Sequence, residues 1–172
     1  RTGQPRRAEI ERRDMKVLIT GITGFVGSHL ADYLSHMPKI ELHGTVRERS
    51  DRRNLKAPAE LHMANINDIT SLASLIGELK PDYLFHLAAQ SLVPLSFTAP
   101  YYTIGTNVLG TLNILDAPRV FSPATRVLVA GSSEEYGLVH IEEWPINERQ
   151  PLRPISPYGV SKVAADLLAQ QY

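Results

Sequence analysis

Short apolar runs alternate with longer amphipathic stretches along the chain from Met15 onward. The runs at residues 16–20, 40–46, 60–65, 83–87 and 126–130 predict five strands that are buried on both faces. Apolar positions at helical spacing predict helices over residues 24–37, 69–79, 100–117 and 157–172. Strands that alternate with helices are typical of a parallel sheet whose strands are joined by crossover helices. The pattern therefore predicts an α/β fold with a doubly wound parallel sheet.

Proline and capping residues set the predicted ends of these helices. Asp68 is the expected N-cap of the helix at residues 69–79, whereas Pro38 and Pro81 follow helices that have ended. Pro118 is expected to stop or kink the third helix, because proline lacks the N–H group that continues the hydrogen bonding. The chain ends within the last predicted helix, from which we expect a domain truncated before its C-terminal, substrate-binding part.

The first fourteen residues differ from the rest of the chain. Residues 1–14 hold five arginines and three acidic residues with no periodic apolar pattern. They are predicted to be a disordered tail, and residues 15–172 are predicted to form one domain. A basic arm that binds nucleic acid is the alternative for the tail.

Charge and composition narrow the classes of partner. The formal net charge is zero, so the balance of charges does not favour a nucleic-acid partner, and no apolar run is long enough to predict a membrane span. The chain has no cysteine, which excludes disulfides and thiolate chemistry and favours a cytoplasmic location. The small-molecule class of partner remains.

The histidines give no sign of a metal site in their spacing. Five of them, His29, His36, His43, His62 and His140, show no metal-ligand spacing, so no metal is expected. His86 lies within an apolar strand and is expected to be a buried core residue rather than a catalytic one.

A glycine-rich turn joins the first predicted strand to the first predicted helix. Glycine at position 21 would allow the tight turn, at position 24 the close approach of a pyrophosphate, and at position 27 close packing of helix on strand. The helix N-terminus would then present N–H groups to the phosphates. The order strand, glycine turn, helix favours an NAD(P)-binding Rossmann fold over an ordinary turn. The predicted cofactor-binding residues of this turn are Gly21, Thr23, Gly24, Phe25, Val26 and Gly27.

The end of the second predicted strand bears on the choice of cofactor. An acidic residue at this point holds the ribose hydroxyl of NAD, whereas an arginine accommodates the 2′-phosphate of NADP. Arg47 stands there, in a loop that is net positive, so NADP(H) is the expected cofactor and NAD(H) the alternative. The competing interpretation is a solvated charged loop.

A candidate catalytic pair lies at the start of the last helix. Tyr158 and Lys162 are four residues apart, which places both on one helix face, where the ammonium favours ionisation of the phenol. Ser132 lies at the carboxyl end of the fifth strand, where open α/β sheets bind ligands, and could hydrogen-bond the same substrate oxygen. A chance Tyr-x-x-x-Lys and a surface turn are the alternatives.

These motifs together resemble the extended short-chain dehydrogenase/reductases, over residues 15–172. The glycine spacing, the Tyr-x-x-x-Lys pair and the stretch His-Leu-Ala-Ala-Gln at residues 86–90 carry the resemblance. It implies that Asn65 and Ile66 contact the adenine, although Asn65 replaces the family's usual Asp, and that Tyr158 and Lys162 also contact the cofactor. The residues implied beside the nicotinamide ribose are Leu87, Ala88, Ala89 and Gln90.

Within this superfamily the chain resembles two kinds of enzyme that act on GDP-linked sugars. Glu135 and the run Ser-Pro-Tyr-Gly-Val-Ser-Lys at residues 156–162 favour a reductase of the C4 keto group of a GDP-4-keto-6-deoxy-hexose. The alternative is a GDP-mannose 4,6-dehydratase, which needs a carboxylate base, and Glu134 stands at the matching position. A catalytically silent NADP-binding module is the second alternative. The resemblance also implies a homodimer.

Overall fold

The computed structural model describes residues 14–172, and the predicted tail at residues 1–14 lies outside the described residues except for Asp14. Five parallel strands form one sheet in the order β3-β2-β1-β4-β5. This order confirms the doubly wound parallel sheet of a Rossmann fold, in which the order of strands reverses between β1 and β4. The strands are β1 (Met15–Thr20), β2 (Ile40–Val46), β3 (Glu60–Met63), β4 (Tyr83–His86) and β5 (Arg126–Val129).

Helices connect the strands and cover both faces of the sheet. They are α1 (Phe25–Ser35), α2 (Ile69–Leu79), α3 (Val93–Thr98), α4 (Pro100–Ile104), α5 (Gly110–Phe121) and α6 (Pro157–Gln171), with a π-helix (Gly105–Leu109) between α4 and α5. Two short 3₁₀ turns follow β5, at Ser133–Glu135 and Ile141–Glu143. No helix among residues 14–172 is both long and apolar enough to cross a membrane.

The core lies on both sides of β1, because successive residues of a strand face opposite sides of a sheet. Leu18 packs with Leu72 and Ile114 in the cluster beneath α2 and α5. Val17 and Ile19 instead belong to the cluster that packs against α1. Burying one such side chain contributes about 1.5–3 kcal/mol, so the two clusters hold the sheet between its helices.

The third helical region departs most from the sequence prediction. Pro118 was expected to stop the helix or kink it, but α5 continues past it to Phe121, so the predicted end at residue 117 is wrong. Pro118 is buried, and packing there offsets the hydrogen bond that proline cannot donate. The region is also divided by the π-helix, and α3 was not predicted.

Candidate functional site

The glycine turn brings β1, α1 and the segment after β4 into close contact. Gly21 has a positive φ of 71°, and a Cβ there would lie 2.9 Å from the Cα of Ala88. A Cβ on Gly27 would lie 2.2 Å from the carbonyl oxygen of Gly21, so α1 packs on the turn as predicted. A Cβ on Gly24 would meet only that same oxygen, at 3.2 Å. Gly24 therefore has little packing reason to be glycine.

A cleft of about 430 Å³ opens above this turn, at the carboxyl ends of β1, β2, β3 and β4. Its size and position are those of a small-molecule site at the switch point of a doubly wound sheet. The predicted residues that line it are Gly21, Thr23, Gly24, Phe25, Val26, Gly27, Arg47, Asn65, Ile66, Leu87, Ala88 and Ala89. The lining does not include Gln90, Tyr158 or Lys162.

Two observations in the cleft fit a phosphate-bearing cofactor. No side chain caps α1, whose N-cap is Gly24, so its first N–H groups face the cleft without an intrahelical partner. Thr106, which also lines the cleft, has a buried hydroxyl with no hydrogen-bond partner among residues 14–172. A buried unpaired polar group is costly, and a ligand in the cleft could satisfy it.

The loops after β2 and β3 form another part of the cleft wall. The backbone N–H of Arg47 donates to the Ser50 hydroxyl, 2.8 Å away, which closes the turn after β2. The Asn65 side chain accepts a hydrogen bond from its own loop, from the N–H of Asn67 at 3.1 Å. Asp68 caps α2 by accepting from the N–H of Thr70 at 3.0 Å, as predicted for an N-cap.

Gln90 takes part in a buried network instead of lining the cleft. Its side chain donates to the Thr103 hydroxyl at 2.9 Å, while its backbone N–H donates to Oδ1 of Asn107 at 2.8 Å. The Asn107 amide donates both to the Gln90 carbonyl, at 3.0 Å, and to the Ser161 hydroxyl, at 2.9 Å. Asn107, in the π-helix, therefore joins the segment after β4 to α6, the helix of the candidate catalytic pair. No local pattern in the sequence marks this residue.

His86 is a buried, doubly hydrogen-bonded residue. Its Nδ1 is 2.8 Å from the Thr20 hydroxyl and its Nε2 is 3.1 Å from the Thr111 hydroxyl. The Thr111 hydroxyl donates its proton to the backbone carbonyl of Asn107, so it can only accept from Nε2 of His86. Nε2 therefore carries the ring proton, and Nδ1 accepts from the Thr20 hydroxyl. Burial first, and then the charge of Lys162, lower the pKa of His86 to about 3. The structure thus places His86 in the core, as expected.

Two neighbouring glutamates in the segment after β5 differ in burial. Ser132 begins the 3₁₀ turn, where its hydroxyl accepts from the N–H of Glu134 at 3.2 Å. Glu135 is 7% exposed, and its carboxylate accepts a hydrogen bond from the N–H of Ser132 at 2.7 Å. The two hydrogen bonds together form a capping box. Burial raises the pKa of Glu135, against the lowering effect of that N–H group. Glu134 is only partly buried. The buried carboxylate of Glu135 therefore serves as a cap, and Glu134 is the more exposed of the two glutamates.

The structure places the candidate catalytic pair, Tyr158 and Lys162, against this same segment. Ser156 caps α6 by accepting from the N–H of Gly159 at 2.9 Å, which places Tyr158 in the first turn. A Cβ on Gly159 would lie 2.6 Å from the carbonyl oxygen of Glu134, so α6 packs directly on the 3₁₀ turn. The ammonium of Lys162 donates to the carbonyl of Ala130, at the end of β5.

Lys162 is the buried cation of this region. It is 8% exposed, and desolvation lowers its pKa while the nearby Glu135 carboxylate opposes that shift. Tyr158 is also buried, at 9% exposed. The four predicted catalytic residues, Ser132, Glu134, Tyr158 and Lys162, therefore belong to two elements that pack together, β5 with its following turn and α6.

Comparison with known proteins gives the family of the chain. The family model described as GDP-mannose 4,6 dehydratase matches residues 18–172. A GDP-mannose 4,6-dehydratase of Yersinia enterocolitica is 37% identical over 171 residues, covering 91% of this chain and 45% of the relative. A human GDP-mannose 4,6 dehydratase is 36% identical over 163 residues, covering 86% and 43%. The chain thus spans less than half the length of these curated relatives.

Solved structures agree on the fold. UDP-glucose 4-epimerase from Brucella ovis in complex with NAD superposes with a TM-score of 0.84 at 27% identity, over 92% of this chain and 47% of that one. RMD from Pseudomonas aeruginosa complexed with NADPH gives a TM-score of 0.72 at 34% identity, over 91% and 49%. The curated relatives carry the name of the dehydratase alternative and not of the reductase favoured from the sequence. The chain belongs to the GDP-mannose 4,6-dehydratase family of extended short-chain dehydrogenase/reductases.

Proposed function

We propose that the cleft binds NADP(H), with its pyrophosphate at the N-terminus of α1. Three observations support this assignment: the N-terminus of α1 has no side-chain cap, Gly24 has no side chain that would keep a pyrophosphate away, and the buried Thr106 hydroxyl has no partner among the described residues. Arg47 lies in the cleft wall after β2, where it would meet a 2′-phosphate, and NAD(H) is the alternative cofactor. When bound, the cofactor would supply reversible hydride transfer from and to the sugar.

We propose further that the protein is a GDP-mannose 4,6-dehydratase, the name its curated relatives carry. The observation that supports this most is the position of Glu134, a partly exposed residue on the turn that packs against Gly159, next to Tyr158 in the chain. Removal of the C5 proton requires such a base, whereas reduction of a C4 ketone does not. Glu135, which favoured the reductase in the sequence, has a structural reason to be acidic because it caps the turn at Ser132.

Each catalytic residue then has one task. Tyr158 takes the proton of the C4 hydroxyl and, after the water has left, delivers it to C5, while the ammonium of Lys162 stabilises the phenolate oxygen that takes the proton. Ser132 hydrogen-bonds the same sugar oxygen. Glu134 takes the C5 proton and delivers a proton to the C6 hydroxyl as it leaves as water. The overall change is loss of one water, with no net oxidation.

The test supplies GDP-mannose and NADP to the whole purified protein and follows the loss of water from the nucleotide sugar by mass spectrometry. We expect a 4-keto-6-deoxy product to accumulate, and Glu134→Gln to lower the rate by about 10²-fold or more. The matched control is Glu142→Gln, an exposed glutamate on the second 3₁₀ turn, which should retain activity.

The reductase makes the opposite prediction in the same assay. A reductase would leave GDP-mannose unchanged, would oxidise NADPH with a GDP-4-keto-6-deoxy-hexose, and would keep most of its rate in Glu134→Gln. Binding of NADPH with neither reaction would favour the silent module. The homodimer implied by the resemblance stays a prediction.

A further inference from the structure

Two histidines and a glutamate meet on the outer two strands of the sheet, apart from the cofactor cleft. His43 lies on β2, and its register partner on β3 is Glu60; the partner of Thr45 is His62. Side chains two residues apart on a strand share a face, so these three project to the same side. None of them lines the cleft described above. The sequence spacing concealed this cluster because its members come from two strands joined by a long connection.

The three side chains present their ligand atoms at nearly tetrahedral separations. Nδ1 of His43 is 3.0 Å from Nε2 of His62 and 3.6 Å from Oε2 of Glu60. Nε2 of His62 is 3.9 Å from Oε1 of Glu60. Ligands bonded to Zn²⁺ at 2.0–2.1 Å in a tetrahedron lie about 3.3 Å apart. A small movement of the exposed Glu60 side chain would therefore complete three corners of a zinc site.

The carboxylate of Glu41 supplies the second feature of a metal site. Its Oε1 lies 3.0 Å from Nε2 of His43, so that ring nitrogen donates to Glu41 and the Nδ1 lone pair points at the cluster. Metal-bound histidines are commonly oriented by a carboxylate in this way. The His43 side chain is 2% exposed, so its orientation is fixed by its surroundings.

We propose that His43, His62 and Glu60 bind one Zn²⁺ ion, with Glu41 orienting the first ligand and water in the fourth position. In the metal-free protein a proton lies between the two facing ring nitrogens. When zinc binds, that proton moves from Nε2 to Nδ1 of His62, which frees Nε2 to bind the ion. Both rings stay neutral, so no proton is released. The ion would join β3, a four-residue strand at the edge of the sheet, to β2. Its role is therefore to stabilise the fold.

The test uses the whole untagged protein after removal of metal by a chelator. Titration with Zn²⁺ should show one ion per chain by calorimetry and should raise the melting temperature. Co²⁺ in the same site should give the visible absorption of a tetrahedral ion. His62→Gln should abolish the calorimetric binding, the rise in melting temperature and the Co²⁺ absorption. Glu41→Gln should weaken zinc binding by about 10- to 100-fold without changing the stoichiometry.

The control is His36→Gln, an exposed histidine on the protein surface, which should bind zinc like the wild type. Glu60→Gln, at a largely exposed side chain, serves as the second ligand variant if His62→Gln fails to fold. Absence of zinc binding by the wild type would overturn the proposal, leaving only a hydrogen bond between two histidines. Binding that survives both ligand variants unchanged would overturn it equally.

Discussion

Alanine at Gly24 and alanine at Gly27 should separate cofactor binding from folding. Both glycines belong to the turn that opens α1, and both line the cleft. A Cβ at Gly24 meets only the Gly21 carbonyl oxygen, at 3.2 Å, and the backbone there is extended, with φ −73°. A Cβ at Gly27 would overlap that oxygen at 2.2 Å and the Cα of Ile22 at 2.8 Å. The added methyl group at Gly24 would therefore occupy mainly space that a ligand could fill, whereas at Gly27 it would overlap backbone atoms.

The structure sets the expected magnitudes. Gly27→Ala must displace backbone, and overpacking of this kind costs about 1–3 kcal/mol or more of the free energy of unfolding. Gly24→Ala changes an N-cap glycine to a poorer N-cap residue, which costs about 1 kcal/mol. Its methyl group would hold the pyrophosphate away from the helix N–H groups. Loss of one charge-assisted hydrogen bond, about 1.5–3 kcal/mol, corresponds to about 10- to 100-fold in affinity for NADPH.

The assay pairs urea denaturation with calorimetric titration of NADPH on the wild type and both variants. We expect Gly24→Ala to bind NADPH at least about tenfold more weakly while losing only about 1 kcal/mol of its free energy of unfolding. Gly27→Ala should show the larger loss of stability. Wild-type affinity in Gly24→Ala would refute the assignment of this turn to the pyrophosphate, whatever the behaviour of Gly27→Ala.

Three further predictions concern the buried networks and the choice of cofactor. The folded-state pKa of His86, about 3, lies below its ordinary value, so its contribution to stability is full above about pH 6.5 and is lost as the pH falls toward 3. His86→Gln should remove about 1.4 kcal/mol per pH unit of that slope in urea denaturation, and an unchanged slope would contradict the buried neutral ring. Asn107→Leu leaves the buried N–H of Gln90 without its acceptor and should cost about 1–3 kcal/mol, against under about 0.5 kcal/mol for the exposed control Asn54→Leu. Arg47→Glu should weaken NADPH binding at least about tenfold and leave NADH binding nearly unaffected. An equal loss of affinity for the two cofactors in calorimetry would show that Arg47 does not contact the 2′-phosphate.

The sequence by itself determined the class of fold and the position of the phosphate turn. Strands buried on both faces are continuous apolar runs, and glycines with a steric role stand at fixed offsets, so both are visible locally. The strand at residues 40–46 and the helix at residues 69–79 have the predicted bounds. Strands β3, β4 and β5 end one or two residues earlier than predicted. For β3 and β4 the reason is that the cleft-lining segments leave the sheet there.

Tertiary structure decided the features that depend on distant partners. Pro118 lies inside a helix, where it is buried against the rest of the fold. The local preference of proline to end a helix does not take such packing into account. Asn107 bridges two segments that are 17 and 54 residues away, so no spacing in the sequence marks it. Glu134 and Glu135 are adjacent, chemically identical residues, but Glu135 is buried as a cap whereas Glu134 is partly exposed.

The His43 and His62 cluster shows the same division at the level of chemistry. Nineteen residues separate the two rings along the chain, and strand pairing brings their nitrogens to 3.0 Å. The register of β2 with β3 determines that distance, and the register depends on packing of the whole sheet. Short-range pattern therefore specifies the elements and the glycine turn, whereas contacts between elements determine which side chains can act together.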